Sequence, residues 1–312
     1  MEFLQQDTSD LVLGWEFYLP LCLAVVMIAF AVPVWAVLGV TSISMLYFSE
    51  VLPLGLMGEA LFDGIDAFAL IAVPLFILTG DVLVRTGLSN KLLNVAEALV
   101  GGFKSGFGTA TVIVCGFFAC ISGSDAAGAA GVGRMTIGRL VEQGYPKPYA
   151  CALVAAGACT GILIPPSIAY IIIGLILGIS ASTLFLAAII PGLMIIVTIM
   201  ITNIVMNRIM GYENAGQRFS FRRLWEAVYD ARFALLVPFI ILGGIYSGIF
   251  TPTEAAAVAV ITTIIIGLII GSITISDFPK MLASSAKVNG VIVPIIAFSL
   301  PLAQTLAALE IP

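Results

Sequence analysis

The stretch from Pro148 to Asn207 contains no Asp, Glu, Lys or Arg. As a helix it is long enough to cross the ~30 Å hydrocarbon core of a bilayer more than once. The whole chain of 312 residues is 61% hydrophobic and 10% charged, with a mean hydropathy of +1.15, whereas soluble domains carry about 25% charged residues. The apolar runs are continuous rather than alternating, which favours helices over a membrane barrel. The sequence therefore predicts an all-α integral membrane protein, a multi-span helical bundle.

Several chemistries are excluded by composition. There is no histidine, so no histidine base or metal ligand exists. The five cysteines lack CxxC spacing and lie in apolar runs, which favours small buried hydrophobic side chains over disulfides or a metal site. No GxxxxGK[ST] motif indicates a nucleotide site, and no basic patch indicates nucleic acid. The sequence predicts neither an enzyme nor a protein with an organic cofactor.

The positive charges suggest a topology. Cytoplasmic loops of membrane proteins concentrate Lys and Arg. The acidic N-terminus lacks a positive n-region, so it is not a signal peptide, and its lack of cations places it outside. All thirteen cations fall into four clusters, which we expect to be cytoplasmic: Arg85, Lys91 and Lys104; Arg134, Arg139 and Lys147; Arg208, Arg218, Arg222, Arg223 and Arg232; Lys280 and Lys287.

Counting between these clusters predicts the spans. Residues 17–48 are either one span kinked at Pro33 or two short spans that turn there, and the outside N-terminus favours two. Residues 88–103 have the spacing of an amphipathic helix at the cytoplasmic interface. The remaining predicted spans are 67–84, 148–178, 183–207, 233–250, 252–271 and 288–309.

Residues 105–139 predict a re-entrant helical hairpin. Both ends carry cations, so both should be cytoplasmic, and the apolar arms Phe107–Ile121 and Ala126–Ile137 are short. A fifteen-residue helix reaches only ~22 Å, less than the ~30 Å hydrocarbon core. The arms are joined by Ser122-Gly123-Ser124-Asp125. Irregular backbone deep in a membrane is tolerated only where it is buried in protein or lines a polar cavity.

The span 148–178 contains a second break, at Gly161-Ile162-Leu163-Ile164-Pro165-Pro166-Ser167. Two prolines remove two helical donors and free the carbonyls near Gly161–Ile164. A half-helix should begin near Pro166, since proline suits a first helical position. Two broken helices at similar depth are typical of secondary transporters. Free carbonyls and Ser hydroxyls suit Na⁺, and a helix N-terminus suits a carboxylate substrate. The alternative is a packing kink without a ligand.

Three other features have local interpretations. Asp125 is an N-cap of the second hairpin arm, a direct cation ligand or a salt-bridge partner, and the cap is favoured. Thr251 and Glu254 form a capping box around a proline, which predicts a helix start. Arg208–Arg232 is a cytoplasmic loop with an interfacial helix around Leu224–Tyr229.

Residues 50–310 resemble the large membrane subunit of the tripartite ATP-independent periplasmic (TRAP) transporters. The matching stretches are Val73–Gly80, Ile121–Ser124, Gly144–Tyr145, Gly161–Ser167, Pro191–Leu193 and Gly248–Ala257. The resemblance implies an inverted-repeat, elevator-type symporter in the bacterial inner membrane. It implies three partners: a small membrane subunit, a periplasmic binding protein, and a small organic acid of the sialic acid or C4-dicarboxylate type. It implies a Na⁺ site that includes Ser122, Gly161, Ile164 and Pro166, with Gly123, Ser124, Asp125, Pro165 and Ser167 close by.

The chain departs from the family pattern at two places and in length. Asp125 stands where the family has a second Ser, and Gly138-Arg139-Leu140 stands where it has Pro-x-Met. The family has a second, inverted half, so the chain looks like about the first three-quarters of such a subunit. The alternative functions are an elevator carrier of dicarboxylates without a binding protein, and a non-transporting membrane scaffold.

The expected functional division has four parts. Residues 1–104 provide scaffold spans and the interfacial helix. Residues 105–207 provide half of the transport domain, with the hairpin 105–139 and the broken helix 148–178. Residues 208–232 form the basic loop, and 233–312 form linking spans and the start of the second repeat.

Overall fold

A computed structural model describes residues 15–49, 53, 55–100, 102, 105–213 and 219–309. These residues contain helices and no strand, which confirms the all-α prediction for this part of the chain. The helices are α1 Trp15–Ala29, α2 Val34–Ser49, α3 Gly55–Ile65, α4 Ala72–Arg85, α5 Leu88–Val100, α6 Gly106–Ser122, α7 Asp125–Glu142, α8 Lys147–Ala158, α9 Ile168–Leu177, α10 Ala181–Met210, α11 Phe221–Asp230, α12 Arg232–Tyr246, α13 Pro252–Ile270 and α14 Phe278–Ala308. Short 3₁₀ turns occupy Phe68–Ile71, Cys159–Gly161 and Ile275–Asp277.

Four of these helical segments are long and apolar enough to cross a membrane. They are Phe68–Arg85, Ala181–Met210, Pro252–Ile270 and Ile275–Ala308. Helices α11 and α12 make a fifth if they count as one span, although they bend by 73° where they join. The chain is therefore a multi-pass membrane protein, and the apolar side chains exposed on α10 form a surface suited to lipid.

The chain divides into two compact units. The first comprises residues 1–67 and 290–312. Here α1 and α2 form a hairpin, because the rings of Trp15 and Phe48 lie 5.5 Å apart at the ends remote from the turn. The interpretation of 17–48 as two segments that turn at Pro33 is therefore correct. The end of α14 packs on α2, where Phe298 stacks with Trp35 at 6.1 Å.

The second unit comprises residues 68–289 and is centred on α6. Most of α6 is fully buried, and it packs against α5, α7, α8, α10 and α12. Glycines allow this close packing: a Cβ at Gly116 would lie 2.7 Å from the Ile196 side chain of α10, and one at Gly157 would lie 2.9 Å from Cys115 Sγ. Helices α4 and α13 pack together beside this centre, with Leu78, Val82 and Val260 in a buried cluster.

Several local predictions are confirmed. The amphipathic helix over 88–103 is α5, although 101 and 103–104 lie outside the described residues. The interfacial helix near Leu224–Tyr229 is α11. At the start of α13, Glu254 N–H donates to Thr251 Oγ1 at 3.3 Å, and Thr251 N–H donates to Glu254 Oε2 at 2.8 Å. The capping box is thus complete.

The prediction for the cysteines is wrong for three of the five. Cys115 is buried and Cys120 is half-buried, but the side chains of Cys22, Cys151 and Cys159 are exposed. A hydropathic run alone does not distinguish a helix face that packs on protein from one that meets lipid, because both faces are apolar in a membrane helix.

Candidate functional site

The tip of the hairpin is a two-residue break between α6 and α7. Gly123 adopts a left-handed backbone with φ +60°, which favours glycine, and its N–H donates to Ala119 O at 3.1 Å. Ser124 is extended and its hydroxyl accepts from Ala127 N–H at 3.4 Å, so it caps α7. At the opposite end, the Arg139 guanidinium lies 4.5 Å from the Phe107 ring centre. Helices α6 and α7 thus form the predicted helical hairpin, with 17- and 18-residue arms, and its re-entrant position in the membrane stays a prediction.

The second break interrupts the span 148–178 as predicted. Helix α8 ends at Ala158, a 3₁₀ turn follows, and Ile162–Pro166 is irregular before α9 begins at Ile168. The new half-helix begins near Pro166 as predicted, at Ile168, but no proline holds its first position. Ser167 is the N-cap and is extended, with φ −120° and ψ +127°, so both prolines belong to the unwound segment.

The two breaks lie in direct contact. Ile168 N–H donates to Gly123 O at 3.3 Å, which joins the start of α9 to the hairpin tip. A Cβ at Gly123 would lie 2.6 Å from Pro166 O, and one at Gly161 would lie 2.8 Å from the amide nitrogen of Asp125. Only residues without a Cβ permit this approach of backbone to backbone. The apposition predicted from matching depth is thus present within this unit.

Several oxygens of the second break have no hydrogen-bond partner among the described residues. In the part of the chain that the structure describes, no N–H or side chain donates to the carbonyls of Gly161, Ile164 or Pro166. The Ser167 hydroxyl is fully buried and has no hydrogen-bond partner there. Buried polar groups without partners are rare, because each costs desolvation free energy of ~1–3 kcal/mol. A hard cation is the natural ligand for such oxygens.

The predicted site residues other than Ser167 divide into two groups. Ser122, Gly123, Ser124, Asp125, Gly161 and Pro166 line or flank the contact between the breaks. Ser122 is fully buried, but its hydroxyl is engaged and donates to Phe118 O at 3.0 Å. Ile164 and Pro165 belong to the unwound segment, and the Ile164 side chain faces Gly192 of α10.

The prediction that Asp125 is the N-cap of the second hairpin arm is wrong. Ser124, not Asp125, caps α7, and Asp125 is the first helical residue. The cap belongs to Ser124 because its extended backbone aims the hydroxyl at the third residue on, whereas Asp125 is already helical. The Asp125 carboxylate is half-buried and forms no ion pair with any described residue. Its charge is therefore available to a cation or to the N-terminus of α7.

A buried carboxylate at the open end of the hairpin was missed by the sequence reasoning. Glu213 is 4% exposed, and it accepts from Phe107 N–H at 2.9 Å, Gly108 N–H at 3.4 Å and the Tyr145 hydroxyl at 2.8 Å. It thereby caps α6 from 106 residues away. Its backbone is held by Asn207, whose Oδ1 accepts from Glu213 N–H at 2.7 Å. The sequence around Glu213 does not predict such a cap, because the residues that it caps are distant in sequence.

Two ion pairs join α5 to its neighbours. Arg139 lies 2.7 Å from Glu97, which joins α7 to α5, and Lys91 lies 2.8 Å from Asp230. Burial raises the pKa of Glu97, an effect that the Arg139 charge and hydrogen bond oppose. Burial also raises the pKa of Tyr145, and the charge of Glu213 adds to it. The Tyr145 hydroxyl therefore stays protonated and remains a donor to Glu213.

The comparison with known proteins agrees with this geometry. Residues 21–312 match the family model described as tripartite ATP-independent periplasmic transporter, DctM component. The isethionate TRAP transporter permease protein DctMQ of Oleidesulfovibrio alaskensis is 33% identical over 90% of this chain and 44% of its own length. The C4-dicarboxylate TRAP transporter large permease protein DctM of Rhodobacter capsulatus is 33% identical over 85% of this chain and 63% of its own.

A third relative is the sialic acid TRAP transporter large permease protein SiaM of Vibrio cholerae, 34% identical over 75% of this chain and 55% of its own length. The chain spans less than two thirds of the length of these three relatives. They are transporter permeases and not enzymes. With the family model matching nearly the whole chain, the protein belongs to the DctM, or large permease, family of the TRAP transporters.

Proposed function

We propose that this chain is the permease subunit of a Na⁺-driven importer of a small organic acid. It acts in the bacterial inner membrane with a small membrane subunit and a periplasmic binding protein. Relatives named for C4-dicarboxylate, isethionate and sialic acid transport support an anionic substrate. The contact between the two breaks is the observation that carries the proposal.

The chemistry of that contact favours Na⁺ as the coupling ion. Three carbonyls without donors and one buried hydroxyl without a partner lie on a single unwound segment, Gly161–Ser167. Neutral oxygens of this kind replace the hydration shell of a hard monovalent cation. The buried start of α9 brings a partial positive charge to the same place, which suits a carboxylate. We propose that the ion and the substrate stabilise the contact together and that the hairpin moves as part of an elevator.

The two alternative functions, an independent carrier and a scaffold, predict different results with the purified chain. A carrier that works without a binding protein would transport its substrate when reconstituted alone, and a scaffold would bind neither Na⁺ nor substrate. The unpaired oxygens at the breaks favour the transporter over the scaffold. The relatives are TRAP transporter permeases, which favours the three-component system over the independent carrier.

The purified chain should be stabilised by Na⁺ and not by K⁺ at equal ionic strength. A ligand at ten times its Kd stabilises the folded state by about 1.4 kcal/mol, and the measurement is the melting temperature in each salt. In proteoliposomes, uptake by the complete complex should require a Na⁺ gradient and no ATP. Equal melting temperatures and equal uptake in the two salts would contradict the proposal.

Replacing Asp125 with Asn should weaken the response to Na⁺ about tenfold while leaving the fold intact. Ser124 provides the cap, so the amide loses only the charge of the first helical turn, worth about 0.3–1 kcal/mol. A tenfold loss of affinity corresponds to a change of about 1.4 kcal/mol in binding free energy. A Na⁺ titration of the melting temperature measures the half-saturation point, and Asp230→Asn is the control. An unchanged half-saturation point would show that the Asp125 charge does not face the ion.

A further inference from the structure

We propose that Arg134 binds the carboxylate of the transported acid in a cavity on the outer face of the hairpin. This inference rests on the proposed function, because it names a second position, on the way from the breaks to the open end of the hairpin, at which that substrate is held. The cavity has a volume of about 270 Å³ and lies between α4, the hairpin and the start of α14, all within the unit of residues 68–289.

The position of the cavity connects the breaks to the open end of the hairpin. Ser124 at the tip and Arg134 in the second arm both line it. Ten helical residues separate them, about 15 Å along α7. A molecule released from the contact between the breaks therefore meets this cavity before it reaches the end of the hairpin that carries Arg139 and Glu97.

The lining has the composition of a binding site for a small amphiphilic anion. Ile77, Val84 and Phe118 provide apolar walls, and Ser284 and Ser285 of α14 bring hydroxyl groups to the opposite side. Ligand sites combine mostly apolar walls with a few convergent polar groups, and they usually exceed about 300 Å³. A volume of about 270 Å³ suits a small acid.

The charge balance of the cavity favours an anion. Asp81 also lines it, but the Arg85 guanidinium lies 2.9 Å from the Asp81 carboxylate and neutralises it. Arg134 donates only through Nε, to Ala130 O at 3.0 Å, and it forms no ion pair with any residue that the structure describes. Both terminal nitrogens of its planar guanidinium thus remain available for the two oxygens of a carboxylate.

The membrane setting strengthens this assignment. Arg134 is exposed and belongs to a cation cluster that we expect on the cytoplasmic side, so we expect water to reach the cavity from that side. Arginines that line water-filled paths through a membrane protein mark substrate pathways. Two other arginines of the chain, Arg139 and Arg222, have acidic partners: Arg139 pairs with Glu97, and Arg222 pairs with Glu226 at 2.8 Å. Arg134 differs from them by facing a cavity without an acidic partner of its own.

Chemical protection tests the proposal on the purified chain without transport. Phenylglyoxal modifies accessible guanidinium groups, and peptide mass spectrometry measures the rate at each arginine. Succinate should slow the modification of Arg134 at least fivefold and leave the exposed Arg208 unchanged within twofold. Succinamide, the neutral diamide of the same shape, should protect neither arginine. Equal rates at Arg134 with and without succinate, or equal protection by succinamide, would overturn the assignment.

Variants of the complete complex provide the second measurement. Arg134→Gln should raise the KM for the transported acid at least tenfold, about 1.4 kcal/mol, while Arg208→Gln should leave it unchanged. Arg134→Gln should retain the Na⁺-dependent rise in melting temperature, because it lies away from the unpaired carbonyls. An unchanged KM would contradict the inference alone. If succinate protects Arg134 but Na⁺ does not raise the melting temperature of the unsubstituted chain, the result would contradict only the proposal that Na⁺ is the coupling ion.

Discussion

Replacement of Gly161 with alanine is expected to abolish the stabilisation by Na⁺ and to lower the stability of the chain by about 1–3 kcal/mol, the usual cost of overpacking. The new Cβ would lie 2.8 Å from the Asp125 amide nitrogen and 2.9 Å from Ser124 C. These are backbone atoms at the hairpin tip, so no rotamer change relieves the clash. The two breaks must separate instead, which removes the geometry that holds the unpaired carbonyls together.

The matched control for this substitution is Gly138→Ala in the hairpin's second arm. A Cβ at Gly138 meets nothing within 4 Å. Alanine in a helix interior is favoured over glycine by about 0.5–1 kcal/mol, so this variant should be slightly more stable and should keep the response to Na⁺. Melting temperatures of both variants in NaCl and KCl provide the measurement. Retention of the full Na⁺ shift in Gly161→Ala would show that the ion binds elsewhere.

Replacement of Glu213 with alanine is expected to cost about 3 kcal/mol or more in stability. Its carboxylate accepts three hydrogen bonds in a buried position, and hydrogen bonds to charged groups contribute about 1.5–3 kcal/mol each. Alanine would leave the Phe107 and Gly108 N–H groups and the Tyr145 hydroxyl without an acceptor. The N-terminus of α6 would then lose both its cap and its link to the end of α10.

Glu213→Gln and Glu226→Ala separate the cap from a general loss of negative charge. Glutamine keeps one acceptor oxygen, so it should recover part of the stability. Glu226 pairs with Arg222 on exposed α11, where both side chains are largely in solvent, so its removal should change stability by less than about 1 kcal/mol. Hydrogen exchange of the Phe107 and Gly108 amides gives a local readout, and protection that survives Glu213→Ala would refute the capping role.

Much of the architecture follows from local sterics that the sequence already contains. Gly123 adopts a left-handed backbone and the pair Pro165-Pro166 lacks two backbone donors, so each favours an interruption of its helix by local preference. The capping box at Thr251 and the turn at Pro33 can be predicted for the same reason. Each depends on residues within about four positions of one another, so no knowledge of the packing is needed.

The exact ends of these elements required the structure. Ser124 rather than Asp125 caps α7, and α9 begins after Ser167 rather than at Pro166. Adjacent residues of similar capping ability compete, and the backbone angles imposed by the neighbouring break decide between them. The exposure of the Cys22, Cys151 and Cys159 side chains could likewise not be predicted, because lipid and protein interiors select the same apolar residues.

The sequence by itself determined where the helices break and that the chain lies in a membrane, because both depend on local backbone preferences and on hydropathy. Only the tertiary structure decided that Gly123 meets Pro166, that Gly161 meets Asp125, and that Glu213 caps α6 from 106 residues away. These contacts arise from packing between distant segments. The effect of a glycine or of a buried acceptor there depends on which residue packs against it, and the sequence around either residue does not show this. The candidate ion site and the cavity at Arg134 are consequences of that packing.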